Sequence, residues 1–223
     1  MIASEGLTLA GGDSANSHAC IGFQDVEGGN TTFNITSNSV NVQNVISGSI
    51  TLNAGTNSNA VIGYYNNSIV AGGPDLTIAN INVETPITTA MNLNAGDTAG
   101  MDNGVAAIGT FAKFGTASSG ITITTGTLSL NAVAPIGDGS SRIINTLPTN
   151  SVPYDISISA TGVLDTVSLL GGTTSTSNFA EIYSGRNLTL SFSMGNLVIN
   201  TTTQRGFANS RLLDGQSQSN HLW

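Results

Sequence analysis

Short runs in which aliphatic and polar residues alternate recur along the whole chain, and their order repeats. The first element is an aliphatic-polar-aliphatic triplet, seen at Leu7-Thr8-Leu9, Ile50-Thr51-Leu52, Met91-Asn92-Leu93, Leu128-Ser129-Leu130, Val167-Ser168-Leu169 and Leu197-Val198-Ile199. The second is Ala-x-Ile-Gly, intact at Ala19 to Gly22, Ala60 to Gly63 and Ala106 to Gly109, and degenerate at Ser141-Arg142-Ile143 and Ala180-Glu181-Ile182. The third is again a triplet: Phe33-Asn34-Ile35, Leu76-Thr77-Ile78, Ile121-Thr122-Ile123, Ile156-Ser157-Ile158 and Leu188-Thr189-Leu190. Alternation with a period of two belongs to strands, since helices repeat their apolar positions every three or four residues.

The first triplets end at residues 9, 52, 93, 130, 169 and 199, giving steps of 43, 41, 37, 39 and 30 residues. A fixed order of strands at a period near forty predicts an all-β, parallel β-solenoid, in which equivalent strands stack about 4.8 Å apart and bury continuous aliphatic columns. Each unit is either one broad coil of three or four strands or two coils of about twenty residues. The variable length is expected between the third triplet and the next first triplet, where loops absorb insertions. Residues 1–203 are expected to form the solenoid and 204–223 a partial repeat with a polar tail, in which Phe207-Ala208-Asn209 echoes Phe179-Ala180-Glu181.

Alternation also assigns faces. The middle residues of the triplets, among them Thr51, Asn92, Ser129, Thr122 and Ser157, are small and polar and are expected outside, where Thr, Ser and Asn ladders add hydrogen bonds along the stack. The middle slot of Ala-x-Ile holds Cys20, Val61, Ala107, Arg142 and Glu181; a slot that takes both charges reads as surface, so Cys20 is expected to be exposed.

Composition fits this reading. Only 8% of the 223 residues are charged and 5% aromatic, with 39% hydrophobic. Disorder requires low hydrophobicity with high net charge, so the chain should fold. A net charge of −8, with the five basic residues Lys113, Arg142, Arg186, Arg205 and Arg211 scattered singly, opposes binding to nucleic acid or anionic membranes. No apolar run is long enough to span a bilayer, and the first residues lack the pattern of a signal peptide. Cys20 stands alone, which excludes an internal disulfide.

The run Tyr154 to Gly162, continuing through Val167-Ser168-Leu169-Leu170-Gly171-Gly172 to Phe179-Ala180-Glu181-Ile182, resembles the repeats of filamentous-haemagglutinin-like proteins and the β-helical passengers of autotransporters. The Ala-x-Ile-Gly elements strengthen the likeness, which covers about residues 6 to 200. The resemblance implies a right-handed parallel β-helix and a role in adhesion or display at a bacterial cell surface or after secretion. It carries no catalytic residues to transfer. The first repeat starts at Gly6 with no cap before it, so the chain is expected to be a segment of a longer protein or to pack end to end with other repeats or chains.

Carboxylates are the one source of catalytic chemistry. Asp13, Asp97 and Asp138 follow first triplets, and a polysaccharide-active β-helix enzyme would need two carboxyls about 5 to 9.5 Å apart. Asp13 and Asp97 lie two units apart, about 10 Å with one coil per unit and about 19 Å with two. Asp97 and Asp102 share a loop, but Gly-Asp and Asp-Asn are ordinary turn sequences. Asp97, Asp102 and Asn103 could offer oxygens to calcium, yet the nonapeptide of calcium-binding rolls is absent. His18 and His221 lack companion ligands. No metal, cofactor or catalytic residue is expected. The chain is expected to be a non-enzymatic adhesin or stalk segment whose loops meet a host glycan or protein. Binding positions are expected at Asp97, Asp102 and Asn103 in the segment Gly96 to Val105, and at Tyr64 and Tyr65 in the segment Tyr64 to Gly73.

Overall fold

A computed structural model describes residues 2–3, 5–12, 17–23, 34–44, 48–55, 58–66, 75–95, 104–112, 116–132, 139–145, 154–160, 162, 166–171, 179–184, 186–192, 196–201 and 209–214. Among these there is no helix, and every strand pairing is parallel. The chain winds through three sheets, here A, B and C, and each turn contributes one strand to each. The first turn is β1 (Ile2–Ala3), β2 (Leu7–Ala10) and β3 (Ala19–Gly22), and the second is β4 (Asn34–Asn44), β5 (Ile50–Asn53) and β6 (Ala60–Asn66). The third is β7 (Asp75–Glu84), β8 (Ala90–Asn94) and β9 (Val105–Ala112), and the fourth is β10 (Thr116–Thr125), β11 (Thr127–Asn131) and β12 (Ser140–Ile144). β13 (Ile156–Ala160), β14 (Thr166–Gly171) and β15 (Phe179–Ser184) form the fifth; β16 (Leu188–Phe192), β17 (Asn196–Thr201) and β18 (Asn209–Asp214) form the sixth. The result is a β-solenoid of three six-stranded sheets. One unit of about forty residues is therefore one broad coil. β1 precedes Gly6, where the first repeat was expected to start, and β18 carries the stack to Asp214, into the partial repeat expected from 204.

Equivalent residues stack in register, so the interior is a set of aliphatic columns. Sheet B supplies Ile50, Met91, Leu128 and Val167 in one column and Leu52, Leu93, Leu130 and Leu169 in the next, all buried. Sheet C supplies a narrow column, Ala60, Ala106, Ser141 and Ala180, beside a wide one, Ile62, Ile108, Ile143 and Ile182. Ser141 fits the narrow column because its hydroxyl donates to the backbone carbonyl of Asn131 at 2.6 Å.

The motif's glycine has a steric cause. Gly63 and Gly109 sit at φ of 118° and 129°, and a Cβ on either would drive into the carbonyl oxygen of the coil above, that of Gly109 and Ile144 respectively. From the fourth coil the column changes to Ile144 and Tyr183, which join Phe111 in a small cluster separate from the interior. The glycine is lost where the backbone no longer needs it.

Sheet A departs from the expected register. Val40-Asn41-Val42 and Ile81-Asn82-Val83 stack beneath Ile121-Thr122-Ile123, whereas Leu76-Thr77-Ile78 pairs with Ala117-Ser118-Ser119 and Ile35 pairs with Leu76. Phe33 lies outside the described residues. β7 runs through two alternating stretches that are out of phase: Leu76 and Ile78 face in, then Ile81 and Val83 do, with Ala79 and Asn80 between them. The register to β10 skips Ala79 there, at Gly120. The length variation moves as a consequence. From Val42 to Leu52, Val83 to Leu93, Ile123 to Leu130, Ile158 to Leu169 and Leu190 to Ile199 the steps are 10, 10, 7, 11 and 9 residues. From Ile21 to Val42, Ile62 to Val83, Ile108 to Ile123, Ile143 to Ile158 and Ile182 to Leu190 they are 21, 21, 15, 15 and 8. The elastic connection runs from sheet C to sheet A, not from the third element to the first. The echo at Phe207 shifts likewise, because Ala180 pairs with Ser210.

Column packing predicts unequal costs for substitution on the two faces. Leu93→Ala should lower unfolding free energy by about 2–5 kcal/mol, while Thr122→Ala, on an exposed slot, should change it by about 0.5 kcal/mol or less; urea titration followed by circular dichroism checks both.

Candidate binding surface

In a parallel stack, an outward residue has its own equivalents about 4.8 Å above and below it. Amides and hydroxyls can bond to such neighbours, whereas like charges would repel. On sheet A the outward column is Asn41, Asn82, Thr122, Ser157 and Thr189. Asn82 Nδ2 donates to Asn41 Oδ1 at 2.7 Å, and Asn80 Nδ2 donates to Asn82 Oδ1 at 2.6 Å and Thr122 Oγ1 at 3.1 Å. One column along, Gln43 Nε2 donates to Glu84 Oε2 at 3.0 Å. On sheet B the outward column is Thr8, Thr51, Asn92, Ser129 and Ser168, flanked by Asn53, Asn94 and Asn131. Asn94 Nδ2 donates to Asn53 Oδ1 at 2.9 Å, which realises the expected Asn ladder. Sheets A and B thus present two polar faces whose donors and acceptors repeat once per coil.

Sheet C differs, and the expectation that its middle slot is surface is corrected. Val61 and Ala107 are 4% and 1% exposed, and they form a small apolar cluster with Val105 against which Cys20 packs. Cys20 is half-buried, its thiol 3.5 Å from the carbonyl of Phe23, and burial pushes it up to about 11. The two charges that suggested a surface slot stack on each other instead. Arg142 Nε lies 3.4 Å from Glu181 Oε2, and the guanidinium sits 5.8 Å from the centre of the Phe111 ring. A slot holding Arg in one coil and Glu in the next is also the signature of an ion pair along a stack.

Asp97, Asp102 and Asn103, with Asp13, Asp138 and His221, lie outside the described residues. Tyr64 is not a loop residue: it is 0% exposed, within β6, and its side chain packs in the interior. Tyr65 follows it in the same strand and pairs with Phe111. His18 is held at a corner, where its Nδ1 accepts the backbone N–H of Asn59 at 2.8 Å. Among the described residues no group of three His, Cys, Asp or Glu side chains could hold a metal, and no helix is long and apolar enough to cross a membrane.

One polar column escaped the sequence reading because it lies inside. At the corner between sheets C and A, Tyr64, Thr110, Asn145 and Ser184 each stand two residues after the recurrent Ile, and all are fully buried. Thr110 Oγ1 donates to the carbonyl of Asn145 at 3.0 Å, Asn145 Nδ2 to that of Tyr154 at 2.7 Å, and Ser184 Oγ to that of Asn187 at 2.8 Å. These bonds engage carbonyls at the turn, of which that of Asn187 also accepts the amide of Ile156. Beside them Asp155 accepts both Nε and Nη2 of Arg186, at 2.6 and 2.5 Å, and the side-chain amide of Asn187. The Arg186 bond holds the Asp155 carboxyl below the usual carboxylate range.

Comparison with protein-family models, with curated proteins and with solved structures finds no match to this chain.

Folding lowers the pKa of Asp155, so its contribution is present above the ordinary carboxylate range and is lost as pH falls through the folded value. Asp155→Asn should lower the thermal midpoint slightly at neutral pH, and the difference from wild type should vanish in acid; the pair is partly exposed, which keeps the effect small. Cys20 should react with a disulfide reagent at pH 8 on the order of a hundredfold more slowly than a free thiol, a rate readable by absorbance.

Proposed function

We propose that this chain is a non-enzymatic adhesin or stalk segment, displayed outside the cell or on a bacterial cell surface, that offers a regular polar surface to a host glycan or protein. The observation that carries this reading is the pair of outward faces on sheets A and B. Their described columns are mostly Asn, Thr and Ser, with Gln43 and Glu84 on sheet A and with Ala10 and Leu170 at the two ends of the Asn column on sheet B, and they run across consecutive coils at constant spacing. Such a face suits a ligand that itself repeats hydroxyls, as a neutral polysaccharide does, because each amide or hydroxyl can exchange a bond to water for a bond to the ligand. The likeness of the Tyr154 to Ile182 run to filamentous-haemagglutinin-like repeats supports the same reading.

Binding of the full chain to immobilised neutral polysaccharides and host-surface proteins tests it. At least one member of the panel should be retained, and converting outward Thr122 and Ser157 together to Glu should weaken that binding by roughly tenfold or more, about 1.4 kcal/mol, with the strand signal in circular dichroism unchanged. Absence of binding across the panel contradicts the proposal. So does cleavage of a glycan that is lost on changing Asp97, Asp102 and Asp138 to Ala.

A further inference from the structure

Where the chain enters sheet C, the first rung of the ladder between neighbouring coils is not built the same way in every coil. Ala19 pairs with Ala60 and Ala60 with Ala106, so His18, Asn59 and Val105 occupy one position in the first, second and third coils. Ala19 donates its amide to the carbonyl of Asn59 at 2.8 Å, and in a parallel ladder a residue turns its amide and its carbonyl to the same neighbour. The Asn59 amide therefore faces the first coil, where the backbone acceptor of that rung is the carbonyl of Ser17. That carbonyl accepts the amide of Gly12 instead, at 2.7 Å. The imidazole takes its place: the Asn59 N–H donates to His18 Nδ1 at 2.8 Å.

One coil on, the side chain of Asn59 does the same, its Oδ1 accepting the amide of Val105 at 3.2 Å. Val105 offers no side-chain acceptor, and the next rung returns to the backbone, with Ser140 donating to the carbonyl of Gly104 at 3.1 Å. Of these three versions of one rung, only that between the first and second coils contains a titratable group. The amide oxygen of an Asn accepts at any pH. Imidazole Nδ1 accepts only while it carries no proton, and once protonated it is a donor aimed at a donor.

We infer that His18 is an acid-sensitive latch between the first and second coils: protonation at Nδ1 breaks the bond to Asn59 and opens this corner, while the Asn59 rung above it stays closed. The latch is independent of any ligand on sheets A and B. The described residues of the corner, 11–12, 17–19, 58–60 and 104–106, include no Asp, Glu, Lys or Arg, and Cys20 turns its thiol to the carbonyls of Phe23 and Gly63 at the far end of β3. Asp13, Asp97 and Asp102, in the connections that enter the corner, lie outside the described residues. A carboxylate close to the ring would favour imidazolium and oppose the latch. Only the folded chain makes the Asn59 bond, so it takes up the proton less readily than the unfolded chain. The stabilisation is present above the ordinary histidine range, about 6.5, and is lost as pH falls through it.

The test is urea unfolding of the full chain at pH 8 and pH 5.5, followed by circular dichroism, for wild type, His18→Asn and His18→Ala; both values lie above the range in which carboxylates ordinarily titrate. Asn places an oxygen where the imidazole places Nδ1, as Asn59 does one coil on. Between pH 8 and 5.5 the folded-to-unfolded ratio of wild type should fall roughly fivefold or more beyond any fall in His18→Asn. His18→Ala, which lacks the acceptor, should be less stable than wild type at pH 8 and should lose no more on acidification than His18→Asn. With His221→Gln leaving a single imidazole, nitrogen NMR at pH 8 should show His18 Nδ1 bare and Nε2 protonated. Should His18→Asn lose its strand signal, hydrogen exchange of the Asn59 amide in wild type replaces it, and its protection, corrected for the intrinsic pH dependence, should fall as His18 titrates. A proton on Nδ1 at pH 8, equal pH dependence in wild type and either His18 variant, a gain of stability on acidification, or Asn59 protection that does not follow His18 overturns the inference.

Discussion

In-register stacking at one coil per repeat is the constraint on which the rest of this structure depends. Each residue has its counterparts from neighbouring turns as its closest non-bonded neighbours, about 4.8 Å away. Two like charges near 4 Å apart repel by about 1 kcal/mol even in water, and a column would add such terms coil after coil. Amides and hydroxyls carry both donor and acceptor, so identical residues can bond to one another, as Asn82 does to Asn41 and Asn94 to Asn53. A chain with 8% charged residues and a surplus of Asn, Thr and Ser is the composition this geometry selects. Where charges do stack they alternate in sign, as Arg142 does beneath Glu181.

The same constraint explains the corners. Ala54, Ala95 and Ala132 follow the Asn column and are buried, each donating its amide to the coil above at 2.8 to 2.9 Å. The corner between sheets A and B is closed by Thr85 Oγ1 bonding to Thr125 Oγ1 at 2.8 Å, a side-chain pair one turn apart. At the corner between sheets C and A, Gly63 and Gly109 allow the backbone of one coil to approach the carbonyl of the next. The connection beyond that corner is the one whose length varies, from 21 residues down to 8. In the longer coils part of that connection is itself strand, and Leu76 and Ile78 of β7 add to the interior beside the continuing columns.

Much of the fold was legible because sheets B and C carry short, regular elements: the triplet ending at Leu52 and the Ala60-Val61-Ile62 element each sit where alternation places them. Sheet A misled because Leu76-Thr77-Ile78 and Ile81-Asn82-Val83 both alternate, and only pairing to β10 shows which belongs under Ile121. A bulge is invisible to a period of two. The outer face of sheet C misled for a different reason: the burial of Val61 and Ala107 is set by tertiary packing, which a slot's residue types do not report. Tyr64 was read as the start of a loop because a strand broken at Gly63 looks finished; the positive φ there lets β6 run on. The polar column through Thr110, Asn145 and Ser184 was hidden by the assumption that inward means apolar. Its residues bond to turn carbonyls, a role that local alternation does not encode.

Function in this architecture is a matter of what the constant spacing presents. The described faces of sheets A and B offer a one-dimensional lattice of donors and acceptors. That consequence rests on one coil per forty-residue unit. Spin labels at Thr8 and Ser168, outward in sheet B and separated by four coil steps, measure that directly by double electron–electron resonance. Four steps of about 4.8 Å place the backbones about 19 Å apart, whereas two coils per unit would place them about 38 Å apart. A label separation centred near the shorter value is the result expected; one near the longer value, or a broad distribution without a peak, would contradict the stack of single coils.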